Sequence, residues 1–305
     1  MSFVVKASGI LQQPAAAALL WDATSVRNMA TLKDISRRLK SVKSIQKITK
    51  SMKMVSAAKY AKAERELRAA RSYGVSAKAF YDNLEVEKSE GPQKHLYIAA
   101  TSDRGLCGAA NSSIIKNIRN QMVEDKSTAE STKVIAIGDK SRAGLARTHA
   151  PNLLLSVNEI GKRPIVFGDA SAIAQQLMSS GFEFDTADIV YNKFKSAIAY
   201  TTSRQKVLSS EAIQRSKSIQ VYDSTDADVL RSFQEFNLAS VLFYAMKENA
   251  TAEQSSRMTA MDNATKNAGE LINKLTTYYN RTRQSVITTE LIEIISGAAA
   301  LEQKN

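Results

Sequence analysis

The sequence predicts an α/β protein in which two long helices, one near each end of the chain, pair as an antiparallel coiled coil and flank a central Rossmann-like α/β domain. The 305 residues include only four prolines, and none follows Pro164. Apolar residues recur every three or four positions toward both ends, which is typical of helices. Between them, short apolar runs alternate with helical patterns, which favours a sheet covered by helices.

These patterns divide the chain into four segments. We expect a mitochondrial presequence at 1–29, a long N-terminal helix at 30–85, a central α/β domain at 86–224 and a long C-terminal helix at 225–305.

The composition argues against several kinds of site. The chain has one cysteine, Cys107, and two histidines, so neither an intrachain disulfide nor a metal centre rich in Cys or His is expected. No stretch approaches the roughly 18 to 20 apolar residues of a membrane span. The sequence therefore predicts no cofactor, no metal and no transmembrane helix.

Residues 1–29 differ from those that follow. They hold two basic residues, one acidic residue and an apolar run at 15–21, which is too short to cross a bilayer. A segment poor in acidic residues is typical of a mitochondrial presequence. The alternative is a disordered tail. We expect cleavage on import between Met29 and Ala30.

Residues 30–85 predict one long helix, because they contain no proline and a single glycine, Gly74. Thr31 and Asp34 have the spacing of a capping box. About 55 helical residues would extend roughly 80 Å, which is longer than one globular core. The predicted apolar stripe comprises Leu32, Ile35, Leu39, Val42, Ile45, Ile48, Met52 and Val55.

The net charge of +12 is concentrated in this helix, since residues 30–71 hold thirteen Lys or Arg against three acidic residues. A basic stripe fits nucleic acid, an anionic lipid surface or an acidic protein surface. Between Leu32 and Lys62 the only aromatic residue is Tyr60, which gives little support to a surface that stacks bases.

The middle of the chain predicts a mainly parallel sheet with a possible hairpin at its edge. The predicted strands are 95–100, 133–137 and 165–167, the predicted helices are 109–122, 139–147 and 170–178, and further strand-like segments are 182–194, 199–208 and 219–222. Residues 124–132 are polar and predict a surface loop.

From 225 to 301 the helical pattern returns, with a coiled-coil seam of alternating three- and four-residue steps. The segment Ser285–Leu301 is apolar on several faces and needs cover from water. It either folds back into its own core or is enclosed by a sleeve of other subunits. The predicted seam comprises Met258, Met261, Thr265, Ala268, Ile272, Leu275, Tyr279, Thr282, Val286 and Thr289.

Some features resemble parts of enzymes. The stretch Thr101–Asn111 follows a strand and precedes a helix, where backbone amides can bind phosphate. It lacks both the Walker spacing and the complete dinucleotide fingerprint, so a structural tight turn is favoured. His149 with Ser141 and Asp139 is interpreted as scattered polar residues rather than a triad. Cys107 is interpreted as a small buried residue.

Three separated stretches, 30–59, 101–111 and 287–300, together resemble the gamma subunit of F-type ATP synthases, and specifically the mitochondrial form. The first resembles the N-terminal shaft helix of that family, the second its middle-domain turn and the third its C-terminal motif. The resemblance extends over essentially all of 30–301.

The resemblance implies a central-stalk rotor inside a ring of alpha and beta subunits, which carry the catalysis, so that this chain is not itself catalytic. The implied partners are that ring, the membrane c-ring and the small stalk subunits delta and epsilon. It also implies a peripheral position on the matrix side of the mitochondrial inner membrane, with membrane contact only through the c-ring, and no nucleic acid.

The resemblance also implies contact residues. Met52 would meet an acidic lever of beta, while Lys43, Lys47, Lys50 and Lys53 would face its acidic loops. Arg283 and Gln284 would meet a catch loop of beta. An apolar bearing would be formed by Val286, Ile287, Leu291, Ile294, Ile295 and Leu301.

Two other functions remain open at this point. A nucleotide-binding α/β enzyme would bind a ligand as an isolated chain, but the sequence has no complete phosphate motif. A basic coiled-coil protein that binds nucleic acid would show steeply salt-dependent affinity. Neither alternative explains the apolar end of the C-terminal helix.

Overall fold

The computed structural model describes residues 31–82, 94–125, 128, 130–216 and 226–302. The predicted presequence, the last residues of the first predicted helix at 83–85 and the strand-like segment 219–222 lie outside the described residues. The described chain forms two compact units. One combines residues up to Ser44 with those from Gly269 onward, and the other comprises Ile45–Ala268.

The larger unit contains a five-stranded sheet, whose strands are β1 (His95–Ala100), β2 (Thr132–Ile137), β3 (Leu153–Val157), β4 (Thr186–Phe194) and β5 (Tyr200–Leu208). Their order across the sheet is β3-β2-β1-β4-β5. Three neighbouring pairs are parallel, and only β4 and β5 pair in antiparallel fashion, as a hairpin at one edge. Successive strands are added on one side of β1 up to β3 and then on its other side from β4, which is the strand order of a Rossmann-type sheet. The predicted parallel sheet and edge hairpin are therefore confirmed.

Helices surround this sheet and account for most of the described chain. The two long helices have the predicted positions, and a short 3₁₀ turn, Ala150–Asn152, precedes β3. The helices are α1 (Leu32–Asp82), α2 (Ala110–Glu124), α3 (Asp139–His149), α4 (Phe167–Ser179), α5 (Ser210–Gln214) and α6 (Ala227–Glu302).

Strand β1 is buried on both faces. Successive side chains of a strand point to opposite sides, and those of β1 enter two different cores. Leu96, Ile98 and Ala100 join a core with residues of α4 and α6. Tyr97 and Ala99 join a second core with residues of α2 and α3. The sheet therefore has helices on both faces, as parallel sheets require.

One predicted strand is wrong. Residues 165–167 do not pair with the sheet, because Phe167 begins α4 and the Asp169 carboxylate accepts a hydrogen bond from the Val166 amide at 2.9 Å. The strand that the prediction missed is Leu153–Val157, which pairs in parallel with β2.

The smaller unit includes the start of α1 and the end of α6. The Thr31 hydroxyl and the Asp34 carboxylate cap the helix reciprocally, as predicted, and these hydrogen bonds from Thr31 lower the pKa of Asp34. Ile35 and Val42 are buried. On α6 the predicted seam is confirmed up to Thr282, since its positions in this unit are half-buried while their neighbours are mostly exposed.

Candidate functional site

Within Ile45–Ala268, the inward face of α1 follows alternating steps of three and four residues, as in a coiled coil. Every position of this seam is buried or half-buried. Its first positions are polar and its later ones mainly apolar. The prediction that Ile45, Ile48 and Val55 belong to the seam is wrong. The observed seam comprises Gln46, Thr49, Lys53, Ser56, Tyr60, Ala63, Leu67, Ala70, Gly74, Ala77 and Tyr81.

Polar contacts join the first part of this seam to α6. Thr265 donates a hydrogen bond to Oγ1 of Thr49 at 2.9 Å, and the Lys53 ammonium donates to Oδ1 of Asp262 at 2.6 Å. Partner numbers fall along α6 as they rise along α1, which confirms the predicted antiparallel pairing. Hydrogen bonds from Lys53 and Lys266 lower the pKa of Asp262.

The apolar residues that leave the seam form a second row on α1. Ile45, Ile48 and Val55 are each more than half exposed, and Met52 is half-buried. Their spacing of three, four and three residues places them along one face of the helix. We call Ile45, Ile48, Met52 and Val55 the outer stripe. No described residue covers it fully.

Met52 and Val55 also line a groove of about 740 Å³ between α1, α6 and the loops that follow β1 and β3. Arg104 and Leu106 form part of the opposite wall. Leu106 is 63% exposed and has a positive φ of 63°. The predicted contact position Met52 therefore lies at the edge of an open groove.

The four predicted lysine contacts differ in their surroundings. Lys43, Lys47 and Lys50 are exposed and form no ion pair with any described residue. Lys53 lies on the seam, and its ammonium is held by Asp262. Three of the four cations are thus free to meet an external acidic surface, whereas Lys53 already has a partner within the chain.

The end of α6 is exposed on all sides. Every residue from Arg283 to Ala299 is exposed, including Arg283 and Gln284, and Arg283 forms no ion pair with a described residue. Val286 and Thr289, which the sequence predicted to continue the seam, are exposed as well. We call Val286, Ile287, Leu291, Ile294, Ile295 and Leu301 the bearing segment, and their exposed fractions run from 37% to 72%.

The stretch Thr101–Asn111 is closed by its own groups. The Asn111 side-chain amide donates to Ser102 Oγ at 2.9 Å and to the Arg104 carbonyl at 3.2 Å, while the Ser102 amide donates back to Asn111 Oδ1 at 3.1 Å. The positive φ of Gly108 suits this tight turn. These bonds support the structural interpretation of the stretch.

Helix α6 holds the same turn from outside. Ser256 donates to the Cys107 carbonyl at 2.6 Å, and the Arg257 guanidinium donates to the Gly105 carbonyl at 3.3 Å. Arg257 also pairs with the buried Glu253. Burial raises the pKa of Glu253 while Arg257 opposes the rise. This pair was not predicted from the sequence, although its spacing of four residues on a helix is a recognisable signal.

The enzyme-like residues do not assemble. Cys107 is 2% exposed, and burial raises the pKa of its thiol, which disfavours the reactive thiolate. The Ser141 hydroxyl donates to backbone carbonyls of its own turn, whereas His149 contacts Thr148. Among the described residues, no group of three His, Cys, Asp or Glu is arranged to hold a metal ion, and no helix is long and apolar enough to cross a membrane.

The comparisons with known proteins agree with the fold. A family model described as ATP synthase matches residues 31–301. The mitochondrial ATP synthase gamma subunit of Drosophila melanogaster is 54% identical over 280 residues, which cover 92% of this chain and 93% of the fly protein. The gamma subunit of the rat mitochondrial F(1) complex is 53% identical over 273 residues, covering 90% of this chain and all of the rat protein.

Two solved structures are similar in three dimensions. A chain from the central stalk and c-ring of the Tetrahymena thermophila mitochondrial ATP synthase has a TM-score of 0.61 and 29% identity, covering 71% of this chain and 99% of that one. A Euglena gracilis ATP synthase chain has a TM-score of 0.74 at 20% identity, covering 88% and 94%, and supports the fold alone. By its family match and its identity to these relatives, the chain belongs to the gamma-subunit family of mitochondrial ATP synthases.

Proposed function

We propose that this central-stalk chain is the rotating shaft that couples a turning c-ring to conformational change at the catalytic sites of an alpha/beta ring, for ATP synthesis. The observation that carries the proposal is the exposed apolar end of α6. The bearing segment offers smooth apolar side chains with few polar bonds to break, which suits a surface that must turn inside a sleeve. A shaft acts by contacting the states of its sleeve unequally, which shifts their populations.

The proposed partners are the alpha and beta subunits, the c-ring and the small stalk subunits delta and epsilon, with membrane contact only through the c-ring. The related Tetrahymena chain comes from a central stalk and c-ring assembly, which supports the c-ring as a partner. We propose a peripheral position on the matrix side of the mitochondrial inner membrane, and the relatives support it so far as they are named as mitochondrial proteins.

On α1, the outer stripe and the free lysines support contact with beta. Met52 is proposed to meet the acidic lever, and Lys43, Lys47 and Lys50 its acidic loops, because exposed cations attract an acidic surface over long distances without fixed geometry. Lys53 is also proposed to face the acidic loops of beta, although its ammonium binds Asp262 within the chain.

At the other end, Arg283 and Gln284 are proposed to meet the catch loop of beta. Both side chains are exposed at the point where the α6 seam ends. A guanidinium forms a planar fork that matches a carboxylate, so Arg283 suits a contact that forms and breaks during each turn.

Catalysis is proposed to belong to the surrounding subunits, with no catalytic residue or cofactor in this chain. The Thr101–Asn111 turn supports this assignment, since its polar groups bond to each other and to α6 rather than to an open phosphate site. An acidic protein is favoured over nucleic acid as the partner of the basic helix. Tyr60, the one aromatic residue between Leu32 and Lys62, packs against Phe194 with ring centroids 5.8 Å apart, so its ring is engaged within the chain rather than available to stack on a base.

The proposal is tested by placing charge in the bearing segment. The double substitution Ile294→Asp with Ile295→Asp should reduce ATP-driven proton pumping by the complex reconstituted in vesicles. An apolar sleeve cannot solvate the two new carboxylates, so their burial inside it is costly. Val123→Asp is the control, since Val123 is an equally exposed apolar residue on α2. Equal pumping by both variants would contradict the proposal.

A further inference from the structure

Helix α6 is joined to the sheet of the larger unit by two kinds of contact. Residues between 238 and 246 contribute apolar side chains to the core that they share with the sheet. Directly after them, Glu248 and Asn249 are polar and yet only 0% and 5% exposed. A buried carboxylate is costly unless it has partners. These two residues have partners on β4 and α6, and we call Asn192, Tyr244, Glu248 and Asn249 the polar joint.

Glu248 accepts a hydrogen bond at each of its oxygens. The backbone amide of Phe194, the last residue of β4, donates to Oε2 at 2.7 Å, and the Tyr244 hydroxyl donates to Oε1 at 2.8 Å. The Arg71 guanidinium of α1 lies 3.7 Å from the same Oε1. One buried carboxylate therefore connects β4 with both long helices.

Asn192, two residues before Phe194 on β4, is 0% exposed and connects further elements. Its side-chain nitrogen donates to Asn249 Oδ1 at 3.2 Å and to the carbonyl of Ala110, the first residue of α2, at 2.8 Å. Its side-chain oxygen accepts a hydrogen bond from the Thr202 hydroxyl of β5 at 2.9 Å. One amide therefore connects α2, β4, β5 and α6.

The two kinds of contact respond differently to a sideways force. Burial of apolar surface is non-directional and depends on area, so apolar layers that slide by a fraction of an ångström lose little free energy. A hydrogen bond weakens steeply as it bends or lengthens, and a satisfied buried polar network holds one arrangement of its members. The polar joint therefore resists a rotation of the sheet about α6 that the apolar core alone would permit.

The bearing segment shows the opposite choice of side chains. There the exposed residues of α6 are apolar, which suits a surface that slides against a sleeve. At the polar joint the same helix has buried hydrogen bonds to the sheet. A shaft has to turn freely inside its sleeve, but it must not slip against the domain through which rotation reaches it.

We propose that the polar joint fixes the rotational position of α6 relative to the sheet, so that the α/β domain and the helix pair turn as one body. Asn192, Glu248 and Asn249 are positioning residues for rotary coupling, since they act through the placement of two parts of the chain. This inference rests on the proposed function, because only a chain that turns under load needs such a fixed connection.

The test measures the angular fluctuation of the α/β domain in the assembled complex, with the alpha/beta ring fixed to glass. A gold nanorod is attached to Val123→Cys on α2, since Val123 is 72% exposed while Cys107 is 2% exposed. Glu248→Met loses both acceptor oxygens and should raise the angular variance of the rod, during pauses of ATP-driven rotation, at least two-fold. Glu248→Gln keeps an acceptor oxygen and should restore most of the parent's stiffness.

Two controls separate this role from a general loss of stability. Ile189→Ala removes buried apolar contacts of β4 from the core and leaves the polar joint intact, so its variance should equal that of the parent. A rod on Val75→Cys, where Val75 is 64% exposed on α1, reports the helix pair itself. Its variance should be the same with and without Glu248→Met.

Asn249→Leu removes the acceptor for Asn192 and provides a second variant, which should also raise the variance. An unchanged variance in an assembled Glu248→Met or Asn249→Leu complex, or an equal rise in Ile189→Ala, would overturn the polar joint alone. Failure of both joint variants to assemble would also overturn it, because the network would then be needed only for folding. A parent rod that does not rotate with ATP would instead contradict the proposed function.

Discussion

The ring of Tyr244 on α6 lies against the backbone of α1 at Gly74, so closely that a Cβ added at Gly74 would overlap the ring. The same tyrosine donates a hydrogen bond to Oε1 of the buried Glu248 at 2.8 Å, and Arg71 lies 3.7 Å from that oxygen. The single glycine of α1 therefore serves the close approach of the two long helices.

Gly74→Ala should destabilise the chain even though alanine is the better helix former. Overpacking of this kind costs about 1 to 3 kcal/mol, more than the roughly 1 kcal/mol that alanine gains in a helix. The control is Gly297→Ala on α6, where an added Cβ meets nothing within 4 Å and stability should stay equal or rise. Denaturant unfolding of the purified chains measures both, and a more stable Gly74→Ala variant would refute the packing argument.

Met52→Lys should weaken coupling while the complex still assembles. The new ammonium would stand five residues after Lys47 and two after Lys50, within the same basic stretch of α1. It would strengthen attraction to an acidic surface more in some rotary states than in others. Protons pumped per ATP hydrolysed, measured in reconstituted vesicles, should fall. Met54→Lys is the matched control, because Met54 is 60% exposed and lies off the outer stripe. An unchanged ratio in Met52→Lys would count against a coupling contact.

Arg283→Ala should slow ATP turnover without preventing assembly. A charged hydrogen bond contributes about 1.5 to 3 kcal/mol, and one that exists for part of each turn changes the relative energies of rotary states. Arg283→Lys should restore turnover only in part, because an ammonium lacks the planar fork. Steady-state hydrolysis and synthesis rates of assembled complexes decide the matter. Normal rates in Arg283→Ala would exclude this role, whereas failure to assemble would favour a static bond.

The pair of Lys53 and Asp262 should make stability depend on pH in acid. The pKa of Asp262 lies below its ordinary value of 3.8 in the folded chain, so folding favours the ionised form. The contribution of Asp262 to the stability of the fold is complete above its ordinary pKa, and it is lost as the pH falls through the lower pKa of the folded chain. Asp262→Asn should therefore lose less stability than the parent between neutral pH and about pH 3.

Denaturant midpoints at both pH values measure this difference. Asp82→Asn, which removes a carboxylate at the exposed end of α1, is the control and should retain the acid sensitivity of the parent. Equal losses in the parent and in Asp262→Asn would show that Asp262 does not contribute to the acid response.

The positions of the elements were largely predictable, because long runs without proline and with regular apolar spacing leave few alternatives. Errors arose where a segment is short. Ile165 and Val166 are both apolar and Val166 is extended, but the Asp169 carboxylate accepts the Val166 amide and caps the start of α4 there. The run Leu153–Val157 is bounded by Pro151 and Asn152 on one side and Asn158 on the other, which are strand-boundary signals, and the prediction overlooked them.

The faces of α1 were harder to predict than its length. Ile45 and Gln46 are neighbours, and hydrophobicity alone assigns the isoleucine to the interior. In the structure Gln46 is half-buried while Ile45 is 52% exposed. The side chains of α6 that pack against α1 determine which face of α1 is buried. When a helix has an apolar face that does not pack inside its own chain, a single sequence does not show which of its faces is buried there.

The hydrogen bond between Thr49 and Thr265 spans 216 residues of sequence, and this separation restricts the order in which the chain can fold. A polypeptide is made and delivered from its N-terminus, so α1 emerges long before the residues that cover its seam. The sheet with α2, α3 and α4 can form first from contacts closer in sequence, whereas the pairing of α1 with α6 must wait for residues such as Lys247, Asp262 and Thr265. Until then α1 is a basic helix whose outer stripe and later, mainly apolar seam positions are both uncovered, and exposed apolar surface of this kind makes a partly folded chain prone to aggregate.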